Sequence, residues 1–85
     1  MGDYQVTLFV SPWNKTGCDE ARDYLETKGI QYVEKNTQDH GARGELIKKT
    51  GGLDTPTLIA NGHTVVGFLP NKWNHLLSEE PLELT

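Results

Sequence analysis

Apolar positions in this chain first alternate and then spiral. Over residues 5–10, Val6, Leu8 and Val10 alternate with Thr7 and Phe9. All five are good strand formers, so the segment reads as a buried strand, ended by Ser11-Pro12. From about residue 16 to residue 28 the period changes: Cys18, Ala21, Leu25 and Lys28 follow one helical face, with Tyr24 beside it and Gly29 as a left-handed stop. Residues 30–35 alternate again and predict a second strand. Asn36, Thr37 or Asp39 can then cap a second helix that carries Ala42, Leu46 and Ile47 inward and stops at Gly51. Residues 57–60 and 63–66 flank Asn61-Gly62, a pair suited to a two-residue hairpin turn that needs positive backbone angles. Pro70 fits the first turn of a last helix facing inward through Trp73, Leu76 and Leu77. Residues 78–85, with Glu79, Glu80 and Glu83, read as an acidic, solvated tail.

Strand, helix, strand, helix, hairpin, helix implies an α/β protein with a four-stranded mixed sheet, a right-handed crossover and helices on both faces. The 85 residues suffice for one domain, spanning 1–85 with its core over about 5–77, and are too few for two. No repeat, linker or low-complexity segment interrupts it.

Charge and composition narrow the partners. The net charge of −4 and the scattered lysines and arginines offer no field for phosphates, so nucleic acid is not expected. No apolar run approaches a membrane span, and no charged start with an apolar signal segment precedes the first strand, which points to a soluble, cytoplasmic monomer without membrane contact. One cysteine, Cys18, makes no internal disulfide and suits a reducing compartment. His40, His63, His75 and Cys18 fall on separate elements without clustered spacing, so no metal site is expected.

The element order and its punctuation resemble the glutaredoxins and the glutaredoxin-like hydrogen donors of ribonucleotide reductase. Cys18, Ala21 and Leu25 have the spacing of that family's second cysteine, alanine and leucine, and residues 25–30 resemble its run from helix into second strand. Thr55-Pro56 stands where the family has a cis proline, after Gly51-Gly52 and before Thr57-Leu58-Ile59. The run Gly67-Phe68-Leu69-Pro70 is closer to the ribonucleotide-reductase donors than to standard glutaredoxins. The resemblance implies a thioredoxin fold and thiol-disulfide exchange. It also implies a shallow groove in which Trp13, Lys15, Thr16, Thr55, Pro56, Gly67 and Phe68 hold substrate beside Cys18.

The chain departs from the family at the redox loop. The family's first cysteine falls at Asn14 counted forward from Ser11-Pro12-Trp13, and at Lys15 counted back from Cys18, and neither is cysteine. Leu69 occupies the place of an acidic residue that helps standard glutaredoxins hold glutathione. No bound cofactor is implied, therefore, and glutathione enters only as a co-substrate. The implied partners are a thiol or disulfide protein client and a reductant of the thioredoxin reductase type.

Two uses of Cys18 follow. A thiol in the first turn of a helix gains thiolate character from unpaired N–H groups and the helix dipole; Lys15 would add to this, while Asp19 and Glu20 would oppose it. A single reactive thiol exchanges with disulfides or becomes a sulfenic acid, but cannot run a two-cysteine cycle. Alternatively Cys18 faces the core with Ala21 and Leu25 and is chemically quiet, leaving a fold that binds a peptide or small thiol without catalysis.

Overall fold

The computed structural model describes residues 6–77. Its elements are β1 (Val6–Val10), α1 (Lys15–Thr27), β2 (Val33–Asn36), α2 (His40–Thr50), β3 (Thr57–Ala60), β4 (His63–Val66) and α3 (Pro70–Leu77), with a short 3-10 turn at Pro12–Asn14. The predicted strand residue at position 5 and the predicted tail over 78–85 lie outside the described residues.

The sheet has the order β2-β1-β3-β4. β1 pairs parallel with β2 and antiparallel with β3, which pairs antiparallel with β4, giving the expected mixed sheet. Central β1 is buried along its whole length because both faces are covered. On one face Val6, Leu8 and Val10 pack with Leu58 and Ala60 against Cys18, Ala21 and Leu25 of α1 and Trp73 of α3. On the other, Phe9 and Ile59 pack against Ala42 and Leu46 of α2. Side-chain alternation in β1 thus assigns α1 and α3 to one layer and α2 to the other.

Local chemistry fixes the joints. α1 ends in a Schellman motif: Gly29, at φ 71°, donates its N–H to Glu26 O, and Ile30 donates to Leu25 O, both at 3.0 Å. Ile30 is therefore committed to the helix end and packs on the first core cluster. For that reason β2 begins at Val33 rather than at residue 30 and runs on to Asn36. Asp39 caps α2 by accepting from Ala42 N, and Gly51 closes it in the left-handed conformation, with Lys48 and Lys49 in the last turn. Ile47, expected inward, is 45% exposed: Ala42 and Leu46 lie on the stripe that meets the sheet, and the next residue is turned about 100° away. Asn61 and Gly62 take φ of 53° and 79°, the positive pair of a type I′ hairpin turn.

Candidate functional site

α1 begins at Lys15, one residue earlier than its apolar spacing predicts, because Asn14 caps it: the Asn14 side-chain carbonyl accepts from Gly17 N at 3.3 Å. The same side chain turns its amide the other way and donates to Thr55 O at 2.6 Å. Ser11, at the end of β1, reaches the same loop, its hydroxyl sharing a 2.6 Å hydrogen bond with that of Thr55, and both residues are buried. Thr55-Pro56 is a cis peptide, and Pro56 O accepts from Gly67 N at 2.7 Å, which ties the loop to the end of the hairpin. The start of α1, the end of β1 and the cis-proline loop are thus joined by side chains of three different elements.

Cys18 is the fourth residue of α1 and closes its first turn. It is only 1% exposed and belongs to the apolar cluster of β1, α1 and α3. Its outer side borders a cleft of about 270 Å³ shaped by Ser11, Pro12, Lys15, Asp19, Arg22 and Asn36. A chain of ion pairs runs along its lining and on to β2: Lys15 to Asp19 at 2.7 Å, Asp19 to Arg22 at 2.7 Å, and Arg22 to Glu34 of β2 at 2.8 Å. The hydrogen bond from the Lys15 ammonium holds the Asp19 carboxyl below its ordinary value, with Arg22 adding to the effect. Arg22 is raised, first by its hydrogen bond to Glu34 and also by the carboxylate of Asp19 and by Cys18 nearby.

Of the residues expected to form one groove, Lys15 and Cys18 border a common cleft, and Ser11 of that cleft hydrogen-bonds Thr55. Lys15 stands at the Cys18 cleft, where its ammonium is bonded to Asp19. Thr55 and Pro56 lie toward β3, on the opposite side of β1 from Asn36 and Glu34 of β2. Trp13 projects from the 3-10 turn, 63% exposed, and Thr16 is an exposed residue of the first turn of α1. Gly67, at φ 91°, accepts from Trp73 Nε1 at 3.1 Å. Phe68 packs edge-on against Tyr24 and Trp73, with ring centroids 5.5 and 5.0 Å apart, and borders a separate hollow of about 400 Å³ with Glu20, Asp23 and Lys28.

Ser11, Asn14, Arg22 and Asn36 are not among the site residues expected from the sequence. Asn14 alone left a trace, an Asn three residues before a glycine at a helix start. Ser11–Thr55 and Arg22–Glu34 are tertiary contacts with no local signature. Among the described residues no group of three His, Cys, Asp or Glu is placed to hold a metal ion, and no helix is long and apolar enough to cross a membrane.

No protein-family model matches the chain, and no curated protein matches it. Solved structures do. A mutant of the thioredoxin-like protein BC3987 superposes with a TM-score of 0.79 at 26% identity, over 86% of this chain and 99% of that one. BC3987 itself gives 0.77 at 25% identity, over 85% and 99%. The glutaredoxin grx-1 from Archaeoglobus fulgidus gives 0.74 at 13% identity, over 91% and 89%. The chain has the thioredoxin fold, and its structural neighbours are thioredoxin-like and glutaredoxin proteins.

Proposed function

We propose that this thioredoxin-fold chain is a glutaredoxin-like thiol redox protein acting through Cys18. The observation that carries the reading is the placement of the chain's one cysteine in the first turn of α1, bordering a cleft that Lys15 and Arg22 also line. In the proposed cycle the Cys18 thiolate attacks one sulfur of a disulfide; the S–S bond breaks, a Cys18 mixed disulfide forms, and the other half leaves as thiolate. A second, external thiolate then attacks the outer sulfur of the mixed disulfide, returning Cys18 as thiolate and carrying away the bound half as a new disulfide. With no cysteine at Asn14 or Lys15, the second thiol comes from outside the chain. Leu69, in place of an acid, favours a reductant of the thioredoxin reductase type over glutathione, in a reducing compartment such as the cytoplasm.

The test is NADPH consumption with a small disulfide, supplied with either thioredoxin reductase or glutathione plus glutathione reductase. Turnover that disappears in both Cys18→Ala and Cys18→Ser supports the reading. Turnover unchanged by either, or none with either reductant, sinks it.

A second reading is favoured by the 1% exposure of Cys18: a non-catalytic module that keeps the fold to hold a peptide or small thiol. It predicts no turnover, and binding that survives Cys18→Ala.

A further inference from the structure

The outer face of α1 carries a hollow that the redox reading does not use. Cys18, Ala21 and Leu25 turn one face of the helix to the sheet, and Glu20, Asp23 and Thr27 stand exposed away from it, at the spacing of a single stripe. Beside the stripe, Tyr24 and Lys28 of α1 and Phe68 beyond β4 complete a hollow of about 400 Å³ with two half-buried rings in its wall. Of the four acids of α1, Asp19 is paired with Lys15 and Arg22, and Glu26 accepts from Tyr32. Glu20 and Asp23, the two that line the hollow, have no ion-pair or hydrogen-bond partner among the described residues. The Lys28 ammonium stands over the Tyr24 ring instead, at 5.1 Å, so one ring of this wall already holds a cation on its face. Two carboxylates against one ammonium leave the lining negative, on a chain of net charge −4.

We propose that this hollow docks a basic amphipathic segment of a partner protein, with an aliphatic side chain against Tyr24 and Phe68 and an arginine or lysine beside it on Glu20 and Asp23. The rings accept any apolar side chain that fits; the unpaired carboxylates select the basic neighbour. A guanidinium or ammonium brings its own donors to a carboxylate, and neither acid must first leave a partner inside the chain. The chain's own residues after Leu77 include Glu79, Glu80 and Glu83, and a second copy brings the same net charge of −4, so like charges oppose both of these as occupants. The proposal is independent of chemistry at Cys18, whose side chain belongs to the sheet-facing side of α1.

The experiment follows backbone amide shifts of the isotope-labelled full chain as three capped tetrapeptides are added: Arg-Leu-Leu-Arg, Glu-Leu-Leu-Glu and Arg-Gly-Gly-Arg. Arg-Leu-Leu-Arg is expected to bind in the millimolar range, to move amides of residues 20–28 and of Gly67 and Phe68, and to bind at least about fivefold more tightly than either of the others. Its advantage over Glu-Leu-Leu-Glu should fall toward one in about 1 M salt, where charges beyond ~3 Å are screened. Glu20→Gln combined with Asp23→Asn, at two exposed positions, is expected to weaken Arg-Leu-Leu-Arg at least about threefold while leaving the urea midpoint in place. Equal binding of the three peptides, shifts centred elsewhere, an unaffected double variant, or no shift at millimolar Arg-Leu-Leu-Arg would each overturn the proposal. Contacts from Leu82 or Leu84 to Phe68 in the free protein would give the hollow to the chain's own end, and the same shifts on concentrating the protein alone would give it to a second copy; either overturns the proposal as well. Disulfide turnover, present or absent, changes none of these outcomes.

Discussion

The side-chain amide of Asn14 donates to the backbone carbonyl of Thr55 across 41 residues of sequence, at 2.6 Å, while the carbonyl of the same side chain caps α1. One residue thus serves as helix cap and as strut between the first turn and the cis-proline loop. Asn14→Ala removes both bonds and leaves Thr55 O without that donor. Urea unfolding should show a loss of about 1–2 kcal/mol, with an unchanged m-value.

Gly17 makes room for this strut. A Cβ at Gly17 would stand 2.7 Å from Asn14 Nδ2, so Gly17→Ala pushes the amide off Thr55. In the unaltered background the substitution should destabilise the protein. In Asn14→Ala the obstacle is gone, and the same change should stabilise by up to about 1 kcal/mol, because alanine is the better helix former. A double-mutant cycle checks this, and equal effects in the two backgrounds would mean that the contact does not matter.

Tyr24 supplies a pH dependence. Its ring packs edge-on against Phe68 and Trp73, its hydroxyl finds no partner among the described residues, and burial pushes the phenol up from its ordinary value. A phenol raised by folding holds its proton more tightly in the folded state. The contribution to stability is therefore whole below the unfolded value of about 10 and is lost as pH climbs through the folded value. Thermal melts should fall above about pH 10, and fall less steeply in Tyr24→Phe, which should be neutral or stabilising at pH 7 because no hydrogen bond is lost.

Trp73 is wholly buried and donates Nε1–H to Gly67 O at 3.1 Å. Trp73→Phe leaves that carbonyl without its donor and opens a void under Tyr24 and Phe68. The expected loss is about 2–3 kcal/mol, read as a lowered urea midpoint. A smaller loss than in Ile47→Ala, at an exposed site of α2, would contradict the packing described.

Much of the fold was legible because its signals are local. Asn61-Gly62 marks the hairpin, Gly29 and Gly51 mark helix ends, and the alternation of Val6, Leu8 and Val10 marks a strand covered on both faces. Where two local signals compete, the sequence leaves the outcome open. Ile30 alternates properly for a strand, yet its N–H is needed to close α1 on Leu25, and the closure wins. Ile47 is as apolar as Leu46, but only one of two adjacent residues can meet the sheet. The site was legible as far as the first turn of α1 and the cis bond before Pro56. The ties among these parts were not, since they depend on Ser11, Asn14 and Arg22 finding partners at a distance in sequence.

The chain's two tryptophans occupy opposite surroundings, Trp73 sealed in the aromatic cluster and Trp13 standing 63% exposed two residues past Ser11. The molecule therefore carries two optical reporters of different colour: an indole emitting from an apolar enclosure, and one in water at the turn between β1 and α1. A dissolved quencher should extinguish the second and spare the first, so light from Trp13 can follow events at the loop while Trp73 certifies that the interior is intact.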